Sequence, residues 1–195
     1  VLAVASDGSD AGRQIEGLAC DIAELSGSIR VVERTDATRS PSLRIQREGT
    51  DVAVEFAGAP GGHEFTSLVL ALLQVGGHPP RLAPEIADQV RALEGEHRFE
   101  TFVSLTCQVC PDVVQALNAM AVLNPNISHT MVDGSLFPAE VEELAIRAVP
   151  AIYRNGEPFE QGRVGIEEIL TRLDDDRPAR IAASIDAKDD FDVLV

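Results

Sequence analysis

The chain has 195 residues, of which 32 are acidic and 16 basic, and its formal net charge is −16. This negative charge argues against a nucleic-acid partner, which requires a basic surface. The longest uninterrupted apolar run, residues 68–73, is too short to cross a membrane. Three cysteines, one of them without a pairing partner, do not resemble the disulfide framework of a secreted protein, and we expect a cytoplasmic protein with a hydrophobic core.

The first half of the chain predicts a strand, a helix, a second strand, a hairpin and a second helix. The first strand covers residues 1–5, and the helix that follows extends to about residue 26. Cys20 lies beside the apolar stripe of that helix, and we expect it to be a small, partly buried side chain without a redox role. Residues 29–33 predict the second strand, residues 41–45 and 51–56 the hairpin, and residues 63–75 an apolar helix closed by glycine and proline pairs.

A linking helix at residues 84–94 leads into the second half, which predicts strand, helix, strand, helix, strand, strand, helix. The apolar run 99–105 indicates a buried strand, and residues 113–121 place apolar side chains on one face of a helix. The remaining strands are expected at 127–132 and 149–153, with an acidic helix from Pro138 between them. Asn155-Gly156 is a strong two-residue hairpin signal, and a final helix follows Gly162.

Cys107 and Cys110 lie two residues apart, where the strand at 99–105 ends and the next helix begins. Unpaired backbone N–H groups and the positive end of the helix dipole favour a thiolate at this position, and the thiolate is the nucleophile of disulfide exchange. Pro111 fits the first helical turn, where a missing N–H costs nothing. We expect Cys107 to face solvent and attack, and Cys110 to lie one turn into the helix and resolve.

Two other interpretations of this cysteine pair are open. A zinc site requires about four ligands, and the remaining cysteine and the four scattered histidines offer no ligand spacing. An inert structural disulfide is possible, although such a short loop stabilises least in the chain-entropy model. Redox chemistry is therefore the favoured interpretation.

The element order of the second half resembles a thioredoxin fold, and Val149-Pro150 matches the cis-proline position of that fold. A cis-proline would bring the neighbouring backbone against the disulfide, ready to pair with an incoming peptide. The alternative is an ordinary proline at the start of a strand.

The first half repeats this plan more loosely. Ser6 to Ser9 occupy the place of Cys107 to Cys110, Pro41 mirrors Pro150, Gly58 mirrors Gly162, and one helix is missing between residues 33 and 41. Chance similarity of two small α/β units is the alternative. We predict an α/β protein of two tandem thioredoxin-like folds, at residues 1–80 and 97–176, of which only the second has a C-x-x-C motif. Residues 81–96 would link them, and residues 177–195 would form a linker and the start of a further domain.

Longer strings resemble one known family, the N-terminal region of the flavoprotein component of alkyl hydroperoxide reductase, which reduces a bacterial peroxiredoxin. The resemblance covers essentially the whole chain and departs at Gln108-Val109, where a well-known member has His-Asn. The matching strings are residues 62–73, 76–79, 99–101, 107–118, 122–125, 149–151, 155–156 and 161–163.

The resemblance implies two adjacent thioredoxin-like folds that share one redox disulfide, followed by a module that binds FAD and NADH. Residues 190–195 look like the opening strand of that module, but no G-x-G-x-x-G follows, so no cofactor is expected in this chain. The implied partners are a peroxiredoxin and the chain's own flavoprotein module, in a parent that forms a homodimer.

The resemblance also assigns Glu64 to the neighbourhood of the disulfide. A carboxylate near the resolving cysteine could act as a general base if burial raises its pKa toward neutrality. The alternative is an acidic residue in the first turn of a helix, stabilised by the helix dipole.

The predicted function is that of a thiol–disulfide electron carrier, in which Cys107, Cys110 and Glu64 are catalytic and Val149 and Pro150 position the substrate. It would support the removal of peroxides. The alternatives are a general, glutaredoxin-like disulfide oxidoreductase, against which Ser6 and Ser9 speak, and a docking module without catalysis.

Overall fold

The computed structural model of the chain describes residues 1–175, so the predicted linker and domain start at 177–195 lie outside the described residues. The first half begins with a strand and a helix, continues through a second strand and a hairpin, and closes with a helix. Its elements are β1 (Leu2–Ala5), α1 (Asp10–Glu24), β2 (Val31–Glu33), β3 (Ser42–Gln46), β4 (Ala53–Ala57), a 3₁₀ turn (Gly62–Glu64) and α2 (Phe65–Val75).

A short helix, α3 (Pro84–Arg91), lies in the segment predicted to link the two halves. The second half then follows the predicted order throughout. Its elements are β5 (His97–Val103), α4 (Cys110–Leu123), β6 (Ile127–Asp133), α5 (Pro138–Glu143), β7 (Ala151–Arg154), β8 (Glu157–Gln161) and α6 (Ile166–Asp175).

The described strands form one eight-stranded sheet in the order β2-β1-β3-β4-β6-β5-β7-β8. The first half contributes β2-β1-β3-β4, and the second half repeats the same arrangement as β6-β5-β7-β8. The two halves are joined where β4 pairs in parallel with β6, with Phe56 opposite Met131. The structure therefore confirms two tandem folds of the same topology, fused edge to edge.

The mirrored residues of the two halves are also confirmed. Pro41 and Pro150 both follow a cis peptide bond. The N–H of Gly58 donates to the Pro41 carbonyl at 3.0 Å, and the N–H of Gly162 donates to the Pro150 carbonyl at 2.9 Å. Both glycines have positive φ angles, of 107° and 91°. Asn155 and Gly156 also have positive φ angles, as the two-residue turn between β7 and β8 requires.

One face of the sheet carries the main core and most of the helices. Helices α1, α2, α3, α4 and α6 each place fully buried side chains in it; these include Ile15, Leu68, Val90, Leu117 and Ile169. On the other face α5 covers a smaller cluster around Phe102 and Tyr153. The first half has no helix between β2 and β3 to match α5, as predicted.

The prediction for Cys20 was wrong, because this side chain is exposed and unpaired. Ile15 and Ala19 face the core on α1, and Cys20 follows Ala19 by one residue, about 100° further around the helix. The side chain therefore points away from the sheet. Within residues 1–175 we find no helix with the length and hydrophobicity that a membrane span requires.

Candidate redox site

Cys107 and Cys110 form a disulfide, with their Cα atoms 5.5 Å apart. Cys107 lies in the turn after β5, where its N–H donates to the Ser104 carbonyl at 2.9 Å. Its side chain is half-buried and packs against the core, so the expectation that it faces solvent was only partly correct. Cys110 is fully buried and is the first residue of α4, not a residue one turn inside it, because the turn at Cys107 delays the start of the helix.

The N-terminus of α4 is directed at the sulfur of Cys107. The N–H of Cys110 donates to the Cys107 Sγ at 3.1 Å, whereas the N-cap residue Val109 makes no capping hydrogen bond from its side chain. The sulfur thus occupies the acceptor position that a capping oxygen would take. When the disulfide is reduced, the same N–H and the helix dipole favour a thiolate on Cys107.

The segment containing Val149 and Pro150 is held at the same end of the second fold. Pro150 is buried and precedes β7, and Val149 is half-buried against the core that Cys107 also contacts. Next to Gly162, which binds the Pro150 carbonyl, Arg163 forms an ion pair with Asp112 in the first turn of α4 at 2.7 Å. The cis-proline and the cysteine pair therefore belong to adjoining walls of one site.

Glu64 is fully buried. Its Oε2 accepts a hydrogen bond from the Ser67 hydroxyl at 2.6 Å, and its Oε1 is buried without a hydrogen-bond partner. Burial raises the pKa of Glu64 to about 7, although the hydrogen bond from Ser67 lowers it. The condition that the sequence left open for a general base, a pKa near neutrality, is confirmed, and the alternative of a solvated first-turn carboxylate is not what the structure contains.

The turn that carries Glu64 is anchored beside the disulfide. The N–H of His63 donates to the Leu105 carbonyl at 3.1 Å, two residues before Cys107. Gly62 has a φ of +55°, and a Cβ at that position would lie 2.5 Å from the same carbonyl oxygen. Only glycine allows this close approach without strain, so the sequence of the first fold fixes Glu64 against the redox loop of the second.

Sequence reasoning missed Ser67 and Gln115. The Nε2 of Gln115, on α4, donates to the Ser67 hydroxyl at 3.3 Å, and Ser67 is fully buried on α2. The available signal was one hydroxyl residue next to the longest apolar run of the chain.

Sequence reasoning also missed a buried network behind α4. Asn118 on α4 binds the Nδ1 of His129 on β6 at 2.7 Å, and the Nε2 of His129 meets the Thr101 hydroxyl on β5 at 2.9 Å. Burial lowers the pKa of His129 to about 3, so the ring is neutral near pH 7. The network fixes the helix that begins at Cys110 to two strands.

Within residues 1–175 there is no group of three or more histidine, cysteine or carboxylate side chains that could hold a metal ion. The site instead combines a disulfide at a helix N-terminus, a neighbouring cis-proline and a buried carboxylate. In a thioredoxin-like fold these features define a dithiol–disulfide exchange protein.

Comparison with known proteins agrees with this class. A family model described as a thioredoxin domain matches residues 98–174. The alkyl hydroperoxide reductase flavoprotein AhpF from Pseudomonas putida is 56% identical over 196 residues, a match that covers all of this chain and 37% of that protein.

Two solved structures share the fold. The NTD_N/C domain of alkylhydroperoxide reductase AhpF from Enterococcus faecalis superposes with a TM-score of 0.78 at 30% identity, over 88% of this chain and 90% of that domain. A protein disulfide oxidoreductase from Aeropyrum pernix superposes with a TM-score of 0.72 at 22% identity, over 88% of this chain and 83% of that one, which shows the fold alone.

The chain belongs to the AhpF family of alkyl hydroperoxide reductases and corresponds to its N-terminal region. It spans a little over a third of the length of the curated relative from Pseudomonas putida.

Proposed function

We propose that the Cys107–Cys110 pair carries electrons from a flavoprotein module to the disulfide of a peroxiredoxin, and so supports the removal of peroxides. The observation that carries this proposal is the disulfide itself, with a half-buried Cys107 under a helix N-terminus and a fully buried Cys110 behind it. Membership of the family supports the choice of partners.

In this proposal FAD and NADH bind to the remainder of the parent protein, and residues 1–175 hold neither. The match to little more than a third of the relative's length supports this division. We further propose a homodimeric parent in the cytoplasm, where an exposed, unpaired Cys20 would stay reduced.

The reaction begins with the reduced pair. The Cys107 thiolate attacks one sulfur of the peroxiredoxin disulfide, which forms a mixed disulfide and releases the other sulfur as a thiolate. The Cys110 thiol then loses its proton, and its sulfur attacks Cys107. This step restores the Cys107–Cys110 disulfide and releases the second peroxiredoxin sulfur, so that two electrons leave the carrier and two sulfurs of the partner are reduced.

Glu64 is the group proposed to accept the proton of Cys110. Cys110 is buried, so water has limited access to its thiol, and a base with a pKa near 7 is matched to neutral pH. Glu64→Gln should therefore slow resolution of the mixed disulfide without unfolding the chain. An unchanged rate would remove Glu64 from the mechanism.

Val149 and Pro150 are proposed to position the incoming segment. Val149 directly precedes Pro150 and β7, and its main chain would pair with an extended peptide that carries the partner's cysteine. This contact would place the partner's disulfide in line with Cys107.

The test is reduction of an oxidised peroxiredoxin by the chain after treatment with dithiothreitol and removal of the excess. We expect turnover in the unaltered chain, none in Cys107→Ser, and a trapped mixed disulfide in Cys110→Ser. Cys20→Ser is the matched control and should react like the unaltered chain, because Cys20 is outside the site. Failure with peroxiredoxin but rapid reduction of insulin would instead indicate a general disulfide oxidoreductase, and inactivity toward both would indicate a docking module.

A further inference from the structure

A chain of hydrogen bonds connects Glu64 to the helix of the redox site. Gln115 Nε2 donates to the Ser67 hydroxyl at 3.3 Å, and the Ser67 hydroxyl donates to Glu64 Oε2 at 2.6 Å. Glu64 and Ser67 belong to the first fold, whereas Gln115 lies on α4, five residues after Cys110. With the contact between His63 and Leu105, the carboxylate is tied to the second fold on both sides of the cysteine pair.

The two oxygens of Glu64 have different surroundings. Oε2 is occupied by the Ser67 hydroxyl, whereas Oε1 is buried and has no hydrogen-bond partner. A buried carboxylate oxygen without a partner is costly, and native proteins retain such an atom chiefly where it has a function. The arrangement leaves Oε1 as the oxygen that is available to take up a proton.

We propose that Ser67 and Gln115 are positioning residues that fix Glu64 to helix α4, with Oε2 held and Oε1 left for proton exchange with the Cys110 thiol. This inference rests on the role of Glu64 proposed above and adds the residues that orient it. Because the serine hydroxyl receives a hydrogen bond from Gln115 while it donates to the carboxylate, the two bonds strengthen each other.

The surroundings of Glu64 make this pair of bonds the main influence other than burial. The elements packed on the Gly62–Glu64 turn are α2 and α4. Helix α2 contains no charged or titratable side chain, and the single charged side chain of α4, Asp112, is paired with Arg163. The other titratable groups nearby in the chain are His63 and the two cysteines. Loss of the Ser67 hydroxyl should therefore raise the pKa of Glu64, because the carboxylate loses a hydrogen bond that favours it.

The test isolates the step at Cys110 and uses neither peroxiredoxin nor flavin. In a Cys20→Ser background, the reduced chain is treated with one equivalent of 5,5′-dithiobis(2-nitrobenzoate), which places a thionitrobenzoate group on Cys107 and releases the first thionitrobenzoate. Attack by Cys110 then releases the second, and its rate is followed by absorbance between pH 5 and pH 9. We expect the rate in the unaltered chain to rise with pH, with a midpoint of about 7.

Ser67→Ala should shift this midpoint upward by about one pH unit, which is the size expected when a buried carboxylate loses one hydrogen bond. Gln115→Met, at a half-buried position, should shift it in the same direction by less, and Ser67→Thr should restore it because the hydroxyl is kept. Thr66→Ala, an exposed neighbour on α2, is the matched control and should leave the profile unchanged.

The outcomes separate the relay from the role of Glu64. If Glu64→Gln loses the inflection but Ser67→Ala and Gln115→Met both superimpose on the unaltered profile, the relay is wrong and Glu64 keeps its role. If Glu64→Gln retains the inflection, both assignments are wrong. Titration of ¹³C-labelled glutamate by NMR provides a second measurement: the Glu64 resonance should move to a higher midpoint in Ser67→Ala, and an unchanged midpoint would overturn the relay.

Discussion

The two folds have the same strand order and the same pairing of a cis-proline with a positive-φ glycine, but they end their first strand differently. In the first fold Ser9 caps α1: its Oγ accepts from the Gly12 N–H at 3.1 Å, while Asp7 Oδ1 accepts from the Ser9 N–H at 3.0 Å. In the second fold the equivalent N–H is directed at the sulfur of Cys107.

The comparison teaches that one backbone supports either a satisfied helix end or a reactive one. Oxygen caps in the first fold use the free N–H groups for stability. Sulfur in the second fold leaves the same groups available to stabilise a thiolate. The first fold thus has no redox pair and instead supplies Glu64 to the redox site of the second.

The first fold also supplies Arg39, from the segment that stands where α5 stands in the second fold. Its guanidinium forms an ion pair with Glu140 on α5 at 2.7 Å and another with Glu100 on β5, and it lies over the ring of Phe102. Because these groups are only partly exposed, the contact is less screened than a surface ion pair. The two folds therefore contact each other on both faces of the joined sheet.

The largest expected effect sharpens the contrast between a buried and a solvated carboxylate. Folded Glu64 keeps its proton up to a pH of about 7, whereas the unfolded chain releases it near the ordinary pKa of 4.5. Between these values the folded state binds more protons, so stability falls as the pH rises. Glu64→Gln removes this loss and should stabilise the chain at pH 8 by up to roughly 3 kcal/mol, with little change at pH 4.

This prediction is checked by urea denaturation of the oxidised chain at both pH values. Glu16→Gln, on the exposed side of α1, is the matched control and should leave the free energy of unfolding unchanged at either pH. An equal effect of Glu64→Gln at pH 4 and pH 8 would contradict the raised pKa.

A second prediction breaks the contact between the folds. Gly62→Ala would place a Cβ 2.5 Å from the Leu105 carbonyl oxygen at a φ of +55°, and should lower the free energy of unfolding by about 1–3 kcal/mol. It should also slow resolution by Cys110, because Glu64 moves with the turn. Gly61→Ala is the control: its Cβ would have a nearest neighbour at 4.0 Å and its φ is negative, so both measurements should stay close to those of the unaltered chain.

The smallest expected effect concerns the helix cap of the first fold. Ser9→Ala removes the acceptor for the Gly12 N–H and should cost about 1 kcal/mol of stability. The rate of disulfide exchange should not change, because this helix end lies outside the redox site. A change in exchange rate larger than that of the exposed control Ser28→Ala would mean that the first fold takes part in the chemistry through α1 as well as through Glu64.

Much of this molecule follows from local sequence signals. The cysteine pair lies at the strand–helix junction where it was predicted, Pro111 occupies the first turn of α4, and Asn155-Gly156 forms the predicted hairpin turn. These features depend on a few neighbouring residues whose backbone preferences are strong. The mirrored prolines could also be predicted, since the repeat is written in the chain. The depth of Cys110 and the exposure of Cys20 were predicted wrongly, because each depends on a helix boundary or rotation that shifts by a single residue.

The sequence by itself determined the two related folds, the site of the disulfide and the family. Only the tertiary structure decided that β4 and β6 pair into one sheet, that Glu64 is buried beside Leu105, and that Ser67 and Gln115 hold it. The physical reason is distance along the chain: Ser67 and Gln115 are 48 residues apart, and their contact exists because the folds are fused at their edges. A pKa near neutrality arises in the same way, since burial is a property of the assembled folds and of no local pattern.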